Sequence, residues 1–384
     1  MKIVYIITDL SLGGAQIMLY KLLSGMNREH FIPVVVSLMD NGLVGDRLEA
    51  LSIPVYSIGM KAGKPTPASV WRLIRTVRQL KPDLLQGWMY HGNLAVQLAK
   101  SFVFKPTSVL WNVRNSLYTF DYEKAGTGAV IKLCAKLSSL PDRIIYNSKV
   151  SANQHEKVGY RADKSLLIPN GFDTEKFAPS PEAASSIHQE LGIPINTLLI
   201  GLIGRYDPVK DHANFLQAAA LLVKNYPSFP VQFVLSGAEV DRNNQALWDL
   251  VQKLSLVERI HLLGERQDIP RLTAALDIAT SSSYTEAFSN VIGEAMSCGI
   301  PCVVTDVGDS AWIVGNTGRI VPPRNPEALA NAWKELLDLG AEGRAVLGRA
   351  ARARAIAQFS LDTIVAQYEA LYESVFFKQL KQKV

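Results

Sequence analysis

Short apolar runs alternate with amphipathic stretches along almost the whole chain, a pattern that leaves few folds open. In the first part, residues 3–8, 32–38, 55–58, 84–88, 108–112 and 143–147 read as buried strands. Residues 15–26, 69–80 and 93–99 between them have the apolar spacing of helices. Strands that alternate with helices in this way predict βα units and a parallel sheet covered by helices.

The pattern then breaks and restarts. Turn chemistry at Pro169-Asn170-Gly171-Phe172-Asp173 leads into a polar Ser/Pro/Ala stretch over 179–186, which predicts a linker. Beyond it come strands over 198–203, 232–236, 260–262, 278–281, 301–305 and 318–321, with helices over 213–224, 244–254, 269–274, 291–297 and 326–337. The 384 residues exceed what one core organises, since single cores stop growing near roughly 250–300 residues. The expectation is an α/β chain of two Rossmann-like doubly wound domains, 1–175 and 176–359, followed by a helix over about 360–384. That helix carries Ile364, Val365, Tyr368, Leu371, Tyr372 and Val375 on one face, which must be covered. It is expected to pack back on the first domain.

Several function classes fall away on composition. No apolar run approaches the roughly 20 residues of a membrane helix, and the opening run from Ile3 to Ile7 is too short for a signal peptide. Cys134, Cys298 and Cys302 are odd in number and form no C-x-x-C pair, which argues against a cysteine-built metal site and fits a reducing cytoplasm. Residues 1–175 hold 21 Lys/Arg against 13 Asp/Glu, an excess of +8, whereas the remainder holds 19 against 22, or −3. A basic first half suits phosphates, an anionic acceptor or an anionic membrane surface, and a solubilising bias would give the same count. Nucleic acid is not expected, because no recognition motif or aromatic interleaving accompanies the charge. Arg72, Arg75 and Arg78, spaced by three beside Leu73, Ile74 and Val77, make the 69–81 stretch the candidate for peripheral membrane contact; a packed helix with a solvated basic face reads the same way.

The polar residues point to chemistry on a diphosphate. Cleaving a sugar-diphosphate bond requires stabilisation of the charge that builds on the leaving nucleotide, by a divalent metal or by fixed cations and backbone N–H groups. The chain has no Asp-x-Asp, the carboxylate pair that commonly holds a metal-nucleotide complex, but it has Arg205 and Lys210 between a strand end and a helix start at Asp211. Ligands of open α/β folds bind at that edge of the sheet; taken alone, the two cations also fit solvated loop charges. Gly13-Gly14 follows the first strand and opens a helix, so a phosphate could approach its backbone, or the pair could serve only a tight turn. It lacks the G-x-G-x-x-G spacing of a dinucleotide fingerprint, which removes a dehydrogenase reading. Glu286 and Glu294 lie eight apart across a loop that becomes a helix, with Ser289 or Asn290 as its cap. Each carboxylate can accept hydrogen bonds from vicinal hydroxyls such as those of a ribose or a hexose.

These motifs together resemble glycosyltransferase family 4, the retaining nucleotide-sugar enzymes of the GT-B fold. The likeness covers nearly the whole chain: Gly13-Gly14, the Pro169-Asn170-Gly171-x-Asp173 turn, Gly204-Arg205 with Lys210, and above all Glu286-x7-Glu294 running on into Ala295-Met296-Ser297-Cys298-Gly299-Ile300-Pro301. It implies two facing Rossmann-like domains with a nucleotide-sugar site in the interdomain cleft, an N-terminal acceptor domain and a C-terminal donor domain. By the same resemblance Arg205 and Lys210 bind the diphosphate, Glu294 the ribose and Glu286 the transferred sugar. Gly13 and Gly14 contribute a phosphate contact, and the backbone around Phe288, Ser289 and Asn290 cradles sugar and phosphate. His91 matches a histidine near the donor sugar. Asn112 and Arg114 are candidates for lining the acceptor site. The implied activity is metal-independent and cofactor-free transfer of a sugar, with UDP as the expected carrier, to a glycan, lipid-linked or small sugar acceptor, with retention and with the leaving phosphate as base. A GT-B-fold epimerase and a non-catalytic nucleotide-sugar-binding module remain the alternatives. Phe172 stands where a smaller aliphatic residue is usual in the family, and Tyr146 where serine is frequent.

Overall fold

The computed structural model of the chain describes residues 1–61, 65–117 and 125–381. It divides into two compact units, the first taking Met1–Gly171 and the chain from Leu361 onward, the second Phe172–Ser360.

Unit 1 runs β1 (Lys2–Ile7), α1 (Gly14–Gly25), β2 (Ile32–Ser37), α2 (Gly42–Ala50), β3 (Val55–Ser57), α3 (Pro67–Leu80), β4 (Leu84–Trp88), α4 (Met89–Lys100), β5 (Ser108–Val113), α5 (Ala125–Leu137), β6 (Arg143–Tyr146), α6 (Lys149–Lys157) and β7 (Ser165–Leu167). The strands form one sheet in the order β3-β2-β1-β4-β5-β6-β7, and every pairing is parallel. Ile3 of β1 lies between Pro33 of β2 and Leu84 of β4. β4 and β5 are buried at every position, because helices cover both faces, and so they read as unbroken runs rather than alternations. The direction of strand addition reverses between β1 and β4. Such a reversal opens a crevice at the carboxyl ends of the two strands.

Unit 2 repeats the plan with α7 (Pro181–Leu191), β8 (Leu198–Ile203), α8 (His212–Asn225), β9 (Val231–Ser236), α9 (Gln245–Lys253), β10 (Ile260–Leu262), α10 (Ile269–Ala274), β11 (Ile278–Ser281), α11 (Asn290–Ser297), β12 (Cys302–Thr305), α12 (Ser310–Val314), β13 (Arg319–Val321), α13 (Pro326–Asp338) and α14 (Gly340–Phe359). The sheet order is β10-β9-β8-β11-β12-β13, all parallel. Its reversal falls between β8 and β11. The expected two parallel-sheet Rossmann-like folds are both present.

Helix α15 (Leu361–Lys381) follows unit 2 in sequence but belongs to unit 1. Ile364, Val365, Tyr368 and Tyr372 join Met18, Leu22, Met26 and Phe31 in one core. Residues 382–384, the end of the helix expected from the sequence, lie outside the described residues.

Several elements differ from the sequence reading: α2, α5, α6, α12, α14 and β7 are absent from it, and α7 stands where it had a linker. The polar stretch expected as a linker is the start of α7, with Pro181 in the first turn and Gly192 in the left-handed conformation at its end. Ala183 and Ile187 face the core four residues apart, a stripe that the surrounding serines conceal. Helix α14 buries a stripe of mostly small residues, including Gly348, Ala351 and Ala355, and a Cβ at Gly348 would stand 1.9 Å from the Gly299 carbonyl oxygen. Close backbone approach at Gly348, with Phe359 packed on Phe172, Phe288 and Trp312 at the end of the helix, holds it in place. Edge strand β7 is only three residues long and half-buried, too brief to show periodicity.

Candidate functional site

In unit 2 the reversal point brings two loops together. Strand β8 ends at Ile203, and Gly204 and Arg205 lead into a single 3-10 turn over Pro208–Lys210. Asp207 caps that turn through Val209 N at 3.0 Å, and Asp211 caps α8 through Asn214 N at 3.2 Å. From the neighbouring strand, the segment 282–289 leads into α11. Ser282 Oγ donates to the Lys210 carbonyl at 2.8 Å, and Tyr284 N donates to the Val209 carbonyl at 3.0 Å, so the two loops are stitched along their backbones. Lys210 Nζ then pairs with Glu286, whose carboxylate also accepts from Ser283 Oγ at 3.1 Å. Both ends of this pair are mostly covered, with side chains 25% and 15% exposed. A crevice lined by Gly204, Lys210, Ser282, Ser283 and Val291 opens beside it.

The loop that carries Glu286 is held from behind. Thr305 Oγ1 donates to the Ser283 carbonyl at 2.5 Å, and Gly308, at φ +56°, lies so close that a Cβ there would be 2.3 Å from the Glu286 carbonyl oxygen. Ser289 is the N-cap residue of α11, yet its side chain makes no cap bond, and its hydroxyl is buried with no partner in the protein. Phe288 turns away from the crevice into the core, stacked on Phe172 with centroids 6.0 Å apart. Asn290 opens α11, and Glu294 lies half-buried one turn further on. Burial, reinforced by the Glu294 charge, pushes the Cys298 thiol up to about 12. Burial likewise pushes His212, the first residue of α8, down to about 4.

Among the residues singled out from sequence, Lys210 and Glu286 meet directly. Arg205 does not join them: its guanidinium is 68% exposed and grips Asp207 at 2.8 and 3.0 Å. Asp207, Ser282, Ser283 and Thr305 were not singled out. The only trace of them in the sequence is the run Ser281-Ser282-Ser283 at the end of an otherwise apolar strand.

In unit 1, Gly13 and Gly14 follow β1, and His91 follows β4 in the first turn of α4; the two positions flank the reversal point of that sheet. Asp9 orders the glycine loop by accepting from Ser11 N at 3.1 Å and Gln16 Nε2 at 3.2 Å. A Cβ at Gly14 would meet nothing within 4 Å, so the backbone is open to an approaching group. Asn112 and Arg114, expected to line an acceptor site, are buried instead. Asn112 Nδ2 and Arg114 Nη1 both donate to Tyr368 OH, at 2.7 and 3.1 Å, and Arg114 Nη2 donates to Asn170. The Arg114 guanidinium lies 5.1 Å from the Trp88 ring centroid. Their visible duty is to anchor α15. Among the described residues no group of His, Cys, Asp and Glu is placed to hold a metal, and no helix is long and apolar enough to cross a membrane.

Two doubly wound parallel-sheet units, one with a lysine and a carboxylate paired at its reversal point, define the GT-B class of α/β protein. HepE of Anabaena, solved in complex with UDP, superposes with a TM-score of 0.84 at 25% identity, covering 97% of this chain and 100% of that one; the same protein with UDP-glucose gives 0.81. Residues 12–176 match the family described as Glycosyltransferase Family 4, and residues 197–339 that described as Glycosyl transferases group 1. The chain belongs to glycosyltransferase family 4. The D-inositol 3-phosphate glycosyltransferase of Corynebacterium urealyticum is 30% identical over 61% of this chain and 57% of its own length. The UDP-Gal:alpha-D-GlcNAc-diphosphoundecaprenol alpha-1,3-galactosyltransferase of Escherichia coli is 30% identical over 46% of each. The matched stretches span about half the length of these curated relatives.

Proposed function

We propose that the chain transfers a sugar, with retention and without a metal, from a UDP-sugar to a lipid-linked or glycan hydroxyl. The observation that carries the reading is the pairing of Lys210 with Glu286 at the reversal point of unit 2. A diphosphate arriving there exchanges one anion for another: Lys210 leaves Glu286 for the phosphate, and the freed carboxylate accepts from hydroxyls of the transferred sugar. Arg205, exposed on its loop, swings from Asp207 to the same diphosphate. The unpartnered Ser289 hydroxyl and the N–H groups that open α11 supply further donors to an anion. Glu294 takes the ribose.

Unit 1 is the acceptor domain in this reading, and within it Gly13 and Gly14 offer a phosphate contact and His91 a hydrogen bond to a sugar. The bond from the anomeric carbon to the diphosphate oxygen breaks, the acceptor oxygen bonds the same face of that carbon, and the acceptor proton passes to the departing phosphate oxygen. The relatives support the ligands: HepE is solved with UDP and UDP-glucose, and the Escherichia coli galactosyltransferase takes a diphosphoundecaprenol acceptor. Peripheral contact with an anionic cytoplasmic membrane surface belongs to the same reading, supported by Arg72, Arg75 and Arg78 on α3.

A thermal-shift panel of UDP, GDP and ADP tests it. UDP should stabilise most, by about 2.7 kcal/mol at 100 times its dissociation constant. Turnover in excess chelator should be unchanged, and Lys210→Ala should lower it by about 10²–10³-fold, as for loss of a preorganised charge partner. Stabilisation by no nucleotide, or a strict divalent-metal requirement, overturns the reading.

A further inference from the structure

Unit 1 contains a cavity of about 510 Å³, well within the range of ligand sites. Packed interiors leave few voids larger than a water molecule, so a space of this size is not a packing remnant. It lies outside the carboxyl ends of β1 and β2, where Thr8 and Leu38 leave the sheet, and α3, α4 and α5 wall it with Val70, Leu94, Leu98 and Val130. Its polar lining includes Thr8, Lys61 and His91. A free sugar would find few partners for its hydroxyls against such walls, at a cost for each one buried unpaired; a hydrocarbon chain would not.

The outer surface of the same elements is unusual in a matching way. Trp71 on α3 is 60% exposed beneath the Arg75 guanidinium, 5.3 Å from its centroid. Phe104, in the segment after α4, is 87% exposed beneath Arg78 at 5.1 Å. Phe102 is also exposed, and Leu98 belongs to both surfaces, lining the cavity and reaching solvent. Large aromatic rings held under guanidinium groups suit the interface of an anionic bilayer, where the rings enter the headgroup layer and the cations meet lipid phosphates.

We propose that this cavity takes the hydrocarbon chain of a lipid-linked acceptor drawn from an anionic bilayer, with the phosphate-bearing end toward Lys61 and His91. The word acceptor rests on the transferase reading above; the chain rests on the cavity. Lys61 neutralises the phosphate, and the head group emerges beside His91, at the reversal point of the sheet. Calorimetric titration of the full chain with octyl phosphate and butyl phosphate tests this, since each buried methylene tightens binding by about fourfold. Octyl phosphate should bind at least about tenfold more tightly than butyl phosphate. Ala95→Phe and Val130→Phe, which fill the cavity, should each abolish that preference while leaving the UDP thermal shift and the binding of phosphatidylglycerol vesicles intact. If Ala95→Phe fails to fold, Val130→Phe decides. Equal affinity for the two phosphates, or an unchanged preference in a folded filled variant, overturns the proposal. A chain-length preference in a protein that no nucleotide stabilises would uphold the cavity assignment and remove the donor reading alone.

Discussion

Phe172 is a large, fully buried residue in the turn that opens unit 2, and the structure supplies the reason for its size. A Cβ built on Gly293 would stand 1.9 Å from the Phe172 ring, so the large residue and the missing side chain are two halves of one fit. Gly293→Ala should therefore destabilise unit 2 by about 1–3 kcal/mol, the usual cost of overpacking, and Phe172→Leu in the same chain should recover most of it. Urea midpoints of the two single variants and the double variant measure the coupling; strictly additive losses would refute it. This pairing was not legible in the sequence, because 121 residues separate the partners. Lys210 and Glu286 were legible, since their charges stand beside strand ends and helix starts. Ser282, Ser283 and Thr305 were not, because a hydroxyl that braces a loop has the same letter as one that faces water.

Helices with a long, regular apolar stripe, such as α1 and α13, were readable; α7, whose few buried residues sit among serines, and α14, whose stripe is mostly small, were not. Helix α15 shows how an element can be anchored by polar groups instead. Tyr368 OH accepts from Asn112 and Arg114, while Tyr372 OH donates to Gln86 at 2.6 Å and accepts from Tyr5 at 3.1 Å. Tyr368→Phe would leave the Asn112 and Arg114 donors short of a buried partner and should cost about 1–3 kcal/mol, measured by chemical denaturation. A change below a few tenths of a kcal/mol would show that water replaces the hydroxyl. A second buried cluster ties α6 to α4. His155 holds Tyr90 OH at 2.9 Å through Nε2 and the Ser151 carbonyl at 2.8 Å through Nδ1, and burial pushes it down to about 4. The unfolded chain, with histidine near its ordinary 6.5, binds the proton first as pH falls, so stability is lost between pH 6.5 and 4 and is fully present above. His212 adds to the loss in the same direction. The melting temperature should fall across that window, and His155→Gln should flatten the slope; an unchanged slope would remove His155 from it.

For the whole molecule, the cysteines report on the two units separately. Cys134 lies in unit 1 and Cys298 and Cys302 in unit 2, all three unbonded and buried. Burial pushes each thiol up to about 12, so none should react in the native protein at neutral pH. Across a urea titration, mass spectrometry of the alkylated chain should show Cys298 and Cys302 labelled together and Cys134 at its own midpoint; simultaneous labelling of all three would show a single cooperative transition. Unit 1 has a further peculiarity, because its last helix is encoded after the whole of unit 2. A ribosome that has made residues 1–171 has made a sheet whose core still lacks Tyr368 and Tyr372 and whose Arg114 has no hydroxyl to meet. Unit 2 can finish as it emerges; the first-made part of the protein is the last to be completed, and for the 189 residues between its exposed apolar face is in the care of whatever attends nascent chains.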